Sequence, residues 1–187
     1  MRLCLVSSVF LAATAASVLW AQSAPQNQKP AQMPMGGMGG QPTSRITAQV
    51  GGPLTITFGD KSTEWTPEKL AALPHTSVTV WNEHVKANQT YSGVPLIDLL
   101  AKLGVPDKPR GKDFRDYVVA AGSDGYTVVY SLGEVTPDVH DATVIVADSE
   151  DGKALAGSGP LQLVATGEKR PARWVRNLVA IHVRAAD

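Results

Sequence analysis

Short apolar stretches separated by glycine, proline and aspartate dominate the chain after residue 44. Alternation of apolar and polar residues with a period of two is typical of a strand with one buried face. A short continuous apolar run between turn residues is typical of a strand buried on both faces. On this basis we predict seven or more strands, at residues 46–50, 54–58, 77–81, 85–91, 117–121, 126–130, 143–147, 161–165 and 178–183.

Two segments carry the signals of short helices instead. In the first, Thr66 suits an N-cap, Pro67 the first helical position, and Pro74 a stop. The second covers residues 95–104, where leucines recur at helical spacing and Gly104 stands at the position that ends a helix. Strands that mostly follow one another, with two or more short helices and no internal repeat, predict an α+β domain rather than a series of β-α-β units.

The first 43 residues differ from the rest in composition. A positive start at Met1-Arg2, an apolar run over residues 3–20 and Ala21 predict a signal peptide at residues 1–21, cleaved after Ala21. A membrane anchor is the alternative, but the run is short and rich in small residues. Residues 22–43, rich in Gln, Pro, Gly and Met, are predicted to be a disordered linker. We therefore expect a mature chain without a membrane span, periplasmic or secreted, with its folded domain at residues 44–187.

Charge and cysteine content narrow the chemistry of that domain. The chain has 17 Lys+Arg and 17 Asp+Glu, a balance that gives no basic surface for nucleic acid. Its single cysteine, Cys4, is predicted to leave with the signal peptide, and with it any thiolate ligand or nucleophile. The four histidines lack zinc-site spacing. The acidic residues of 148–152 lack the spacing of a calcium loop and are predicted to form a solvated hairpin turn. No metal ligands and no catalytic residues are identified.

A series of motifs, in a fixed order, nevertheless stands out. They are YSGVPL at 91–96 leading into two leucines, DGY at 124–126, VAD at 146–148 followed by DG at 151–152, GPLQLV at 159–164 and RWV at 173–175. From residue 46 to residue 183, the series resembles the molybdopterin-binding oxidoreductase domain of the sulfite oxidase family. The resemblance implies a β-rich sulfite oxidase-like fold and a molybdopterin cofactor.

The resemblance also implies where that cofactor would lie. In the family, the strand of the GPLQLV motif and the RWV element lie near the pterin. The corresponding cofactor-binding candidates are Arg173 and Trp174, with Lys169 and Arg170 just before them. An arginine fork would hold the pterin phosphate through paired hydrogen bonds. A basic turn exposed on the surface is the other interpretation of the three cations.

The sequence departs from the family at the metal. The resemblance places a molybdenum-ligating cysteine about a dozen residues before Gly93, at Val80, Trp81 or Asn82, and none of these supplies the soft thiolate. One interpretation is an exported molybdopterin-dependent redox protein with the metal ligated in another way. The alternative is a non-catalytic binding or partner module that kept the fold and lost the metal site.

A third interpretation keeps the cleft and changes its ligand. The chain would then be a periplasmic small-molecule binder with aromatic walls, formed by Trp81, Tyr91, Tyr126 and Trp174. The expected partners are accordingly a small molecule or pterin and a periplasmic protein.

Overall fold

The structure is a computed structural model that describes residues 52–83 and 85–186. The predicted signal peptide, the linker and the strand at 46–50 lie outside the described residues. The strands are β1 (Leu54–Phe58), β2 (Lys61–Trp65), β3 (Thr76–Asn82), β4 (Ala87–Pro95), β5 (Asp116–Gly122), β6 (Thr127–Ser131), β7 (Val144–Glu150), β8 (Lys153–Ala154), β9 (Gln162–Ala165) and β10 (Leu178–Ala185). The α-helices are α1 (Pro67–Ala71) and α2 (Leu96–Ala101), and 3-10 helices occupy Gly111–Arg115, Gly133–Val135 and Pro171–Arg173.

The strands form two sheets. The first has the order β2-β1-β10-β5-β6, in which β1 and β10 run parallel and the other neighbours antiparallel. The second has the order β3-β4-β7-β8, with β9 also paired to β7, and is antiparallel throughout. The predicted α+β class is confirmed.

The main hydrophobic core contains residues of both sheets and of α2. The predicted leucines of α2, Leu96, Leu99 and Leu100, are each fully buried, and Leu103 follows them into the core. Gly104 adopts the left-handed conformation (φ 94°) that a residue ending a helix requires. The helical pattern therefore identified the place and the buried face of this element, but the helix itself, Leu96–Ala101, is shorter than the predicted 95–104.

The second sheet is buried on both faces near its centre. On one face Val144, Val146 and Leu163 join the main core. On the other, Ile145 and Val164 belong to a smaller hydrophobic cluster. Successive side chains of a strand point to opposite faces, so Gln162 shares the face of Val164. That second face carries the candidate site.

Two local expectations were wrong. Strand β2 was not predicted, because Trp65 is the only buried residue of this short edge strand and its other four residues are polar and lack an alternating pattern. The predicted solvated turn over residues 148–152 is in part strand, since β7 continues to Glu150 and pairs with both Tyr91 and Lys153. Only Asp151 and Gly152, with positive φ angles of 50° and 74°, form the turn itself. In the described part of the chain, every helix is too short or too polar to cross a membrane.

Candidate functional site

A cleft of about 730 Å³ opens beside the smaller hydrophobic cluster of the second sheet. A volume of this size is typical of small-molecule sites. Its lining combines three aromatic residues with a set of polar and charged ones. They are Tyr91, Tyr126 and Trp174, together with Asn82, Gln89, Asp124, Glu150, Ser158, Gln162 and Arg176.

A hydrogen-bonded network of four side chains lies at the ends of β3, β4 and β7. The Asn82 amide donates to Gln89 Oε1, and the Gln89 amide donates in turn to Glu150 Oε1. The Tyr91 hydroxyl lies 3.3 Å from each of these acceptor oxygens. Antiparallel pairing sets Tyr91 opposite Glu150 and brings these groups together. Burial raises the pKa of Tyr91 to about 12, with a further contribution from the Glu150 carboxylate, so the phenol stays a donor.

The aromatic walls are fixed by contacts of their own. The Trp174 ring meets the Tyr91 ring edge-on, with centroids 5.3 Å apart and an interplanar angle of 81°. The indole N–H of Trp174 donates to the Ala165 carbonyl at 2.9 Å. The Tyr126 hydroxyl donates to the Ala172 carbonyl. Rings held in this way present preformed apolar surface to a ligand. Trp81, the fourth aromatic residue predicted for such walls, is 53% exposed and does not line the cleft.

Two polar side chains of the lining are nearly buried and lack a hydrogen-bond partner among the described residues. Gln162 is 3% exposed and Ser158 is 7% exposed. The peptide carbonyl of Ser158 accepts from the Asn177 N–H at 2.5 Å, but the hydroxyl is not so engaged. Their polar atoms are nevertheless not fully buried, since Nε1 of Trp65 is the only side-chain polar atom of the described residues that is both buried and unpartnered. The hydrogen-bonding groups of Gln162 and Ser158 line the cleft, where a ligand could bind them.

The charged groups of the lining are predominantly acidic. Asp124 and Glu150 contribute carboxylates, and Arg176 contributes the cation. Within the described residues no ion pair shorter than 4.0 Å involves Arg176. One carboxylate oxygen of Asp124 already has a partner, since Oδ1 accepts a hydrogen bond from the Tyr126 N–H at 2.9 Å. Of the cofactor-binding candidates from the sequence, only Trp174 lines this cleft.

Arg173 lies outside this cleft and forms ion pairs with two carboxylates. Its guanidinium donates to Glu134 at 2.9 Å and to Glu168 through Nε and a terminal nitrogen, and it lies 4.5 Å from the centre of the Tyr130 ring. Burial alone would lower the pKa of Arg173, but the two carboxylates raise it above its ordinary value. A phosphate would have to displace both partners.

Arg173 lines a separate cavity of about 130 Å³, while Lys169 and Arg170 are exposed. The phosphate-binding role predicted for these three residues remains a prediction, without support from their positions.

Several residues of the cleft were not singled out from the sequence. Gln89, Ser158 and Arg176 occur in segments with no distinctive motif, and Glu150 was assigned to a solvated turn. Gln162 carried the one usable signal, because it is a polar residue inside an otherwise apolar run that both faces of a sheet bury.

The fold defined by these two sheets is that of the sulfite oxidase-like molybdopterin-binding domains. Among solved structures, the sulfane dehydrogenase SoxCD from Paracoccus pantotrophus is similar over 72% of this chain, with a TM-score of 0.55 and 24% identity. The sequence profile of the oxidoreductase molybdopterin binding domain matches residues 53–187. The chain belongs to this family, as its motifs predicted.

Two relatives are longer proteins that the chain matches only in part. It spans 39% of the matched SoxCD chain. It is also 34% identical over 82 residues to the DNA primase small subunit PriS of Thermoplasma volcanium, covering 44% of this chain and 23% of the primase. An alignment of that extent assigns neither family nor function.

The residues present do not fit a thiolate-held molybdenum. The positions expected for the cysteine, Val80, Trp81 and Asn82, lie at the end of β3, where Asn82 instead enters the amide–carboxylate network. Amide and carboxylate oxygens are hard ligands and poor substitutes for a soft thiolate. In the described parts of the chain, no three His, Cys, Asp or Glu side chains are grouped so as to hold a metal ion.

Proposed function

We propose that this chain is an exported binding module of the molybdopterin-binding oxidoreductase family, one that keeps the cleft and has lost the thiolate-ligated metal site. The observation that carries the proposal is the network of Asn82, Gln89, Glu150 and Tyr91. Of the three positions where the resemblance puts the sulfur ligand, Asn82 carries an amide that donates to Gln89, which donates in turn to the Glu150 carboxylate. Such a network binds polar molecules but supplies no soft donor to molybdenum.

Export is supported by the N-terminal pattern of charge, apolar run and small residue. We expect the mature protein to begin at Gln22 and to be recovered from the periplasm or the medium. N-terminal sequencing of the fractionated protein tests this. A chain that keeps Met1 and remains with the cytoplasmic fraction would refute export without affecting the assignment of the cleft.

Metal and pterin analysis of the protein from its native compartment tests the loss of the metal site. We expect no stoichiometric molybdenum and no extractable molybdopterin. A thiolate-bearing member of the same family, expressed in the same cells and purified in parallel, serves as the control that cofactor is available. About one molybdenum per chain, together with pterin, would refute the proposal.

A second candidate function is a molybdopterin-dependent redox protein whose metal has other ligands. The match of the family profile and a cleft of about 730 Å³ beside Trp174 favour it. It would be the correct interpretation if the same analysis found both metal and pterin, and if their removal abolished electron transfer to an artificial acceptor.

A further inference from the structure

The strongest indication of a ligand is the state of Gln162. This side chain is 3% exposed, lines the cleft and has no hydrogen-bond partner among the described residues. Its strand β9 pairs with β7, with Gln162 opposite Ala147. This pairing fixes the backbone and keeps the Gln162 side chain on the face of the sheet that carries the cleft. An amide offers two N–H donors and one carbonyl acceptor. A group with the complementary pattern is therefore expected to face it.

Ser158 adds a second open group to the same lining. The residue is 7% exposed, and its position is fixed by the hydrogen bond between its peptide carbonyl and the Asn177 N–H. Its hydroxyl can donate or accept. Nε1 of Trp65 is the only side-chain polar atom of the described residues that is fully buried without a partner, so the polar atoms of Gln162 and Ser158 are accessible from the cleft, where a bound polar molecule would replace water as their partner.

Glu150 supplies the acceptor for a ligand N–H. Its Oε1 already accepts from Gln89 and Tyr91, whereas no hydrogen bond to its Oε2 exists within the described residues. A carboxylate oxygen carries two lone pairs for acceptance. The network thus orients the carboxylate and leaves one of its oxygens for a donor.

The walls favour a flat molecule. Trp174 is held by Ala165 and by the edge-on contact with Tyr91, and Tyr126 is held by the Ala172 carbonyl. Rings fixed in this way lose little conformational entropy when a planar molecule packs against them.

The charged side chains that line the cleft disfavour the binding of a strong anion. A phosphate dianion in the cleft would meet the carboxylates of Asp124 and Glu150 and a single guanidinium, that of Arg176. Like charges disfavour binding in a partly desolvated cleft, where screening by water is weaker than in bulk.

We propose that the cleft binds a planar, uncharged or monocationic heteroaromatic molecule with an amide- or amidine-type edge, and that it discriminates against phosphate-bearing molecules of the same shape. Gln162 and Ser158 form hydrogen bonds with the polar edge of the ligand. Glu150 accepts a hydrogen bond from a ligand N–H, and the rings of Trp174 and Tyr126 contact the ligand ring. This inference rests on the proposed binding function, because it assigns the whole cleft to an organic ligand.

Calorimetric titration of the full purified chain tests the inference with three probes. Guanosine and guanosine monophosphate share one planar edge and differ by the phosphate, and protonated 2,4-diaminopyrimidine is a small cation with an amidine-type edge. We expect guanosine or the cation to bind, and guanosine to bind about 10-fold more tightly than its monophosphate at low salt, with the ratio falling as salt is added. Absence of binding by both phosphate-free probes, or tighter binding of the monophosphate, would overturn the inference.

Single-residue variants test which side chains of the cleft contribute to binding of the probes. Gln162→Leu keeps the volume and removes the amide, and we expect about 10-fold weaker binding of the phosphate-free probe. Glu150→Gln should weaken the cation most and reduce the discrimination against phosphate. Glu64→Gln, the same change at an exposed position of β2, is the control and should bind like the parent. Ser158→Ala replaces Gln162→Leu as the test if that variant does not fold.

Folded Gln162→Leu and Ser158→Ala variants that both bind like the parent would also overturn the inference. Its failure is distinguishable from that of the proposed function. A chain that lacks molybdenum but prefers the monophosphate refutes only the ligand class. A chain that carries stoichiometric molybdenum refutes the binding-module assignment whatever the titrations show.

Discussion

Gly93 lies in β4 where this strand pairs with β7, and replacing it with alanine should destabilise the second sheet. A Cβ atom at this position would lie 2.1 Å from the Val146 carbonyl oxygen and 2.5 Å from the Ala147 Cα. Ordinary contacts between such atoms are about 3.5 Å, so β7 would have to retreat by roughly 1 Å or more. The register of the two strands shifts between Ser92 and Gly93, and the close approach there is possible because glycine has no Cβ atom.

The cost of Gly93→Ala can be estimated from this geometry. Overpacking in a protein core typically costs about 1–3 kcal/mol. Both clashing groups here are backbone atoms of a paired strand, and no side-chain rotation relieves them, so we expect the upper end, about 3 kcal/mol. For a domain of this size each kcal/mol lowers the melting temperature by roughly 3 °C, which predicts a loss of roughly 9 °C.

Thermal and urea unfolding followed by circular dichroism measure the effect. Gly133→Ala is the matched control, because a Cβ there would lie 3.6 Å from Phe114 and 3.7 Å from Val139, an ordinary contact. We expect this control to change the free energy of unfolding by less than about 1 kcal/mol. If Gly93→Ala melts within about 2 °C of the parent, the claimed approach of β4 to β7 is wrong.

Three further predictions concern single side chains. Tyr130→Phe removes the phenol that donates to the Arg173 carbonyl at 2.6 Å, and we expect urea unfolding to show a loss of about 1–2 kcal/mol; an unchanged midpoint would contradict the bond. Trp65→Phe removes a buried indole N–H with no partner among the described residues, so the same assay should show a loss below about 1 kcal/mol despite the smaller ring, and a loss of about 3 kcal/mol or more, beyond what the small cavity explains, would contradict the unpartnered N–H. The hydrogen bond to Asp148 raises the pKa of His75 above 6.5, so the stabilisation is complete below pH 6.5 and is lost as the pH rises through the folded-state pKa. His75→Ala should therefore lower the melting temperature more at pH 5.5 than at pH 9, and an equal loss at both values would exclude the linkage.

The sequence alone determined the class of the fold and most of its elements. Alternation, helical spacing and turn residues report which face of a segment is buried, and they located α1, α2 and most of the described strands. The order of the motifs from Gly93 to Trp174 was sufficient for the family. The absence of cysteine from residues 44–187 is likewise a fact of the sequence, since it depends on residue identity and not on geometry.

Only the tertiary structure decided the chemistry of the cleft. Asn82, Glu150 and Gln162 come from three strands, and their proximity follows from the strand pairing of β3, β4, β7 and β9, which local periodicity does not encode. The same holds for Arg173, whose resemblance-based role was to bind a phosphate and whose guanidinium is instead bound by the nearby Glu168 and by Glu134, which is distant along the chain. Periodicity specifies that a side chain is buried or exposed. Its partner is set by long-range packing, and that partner determines whether a charge or an amide is available for a ligand.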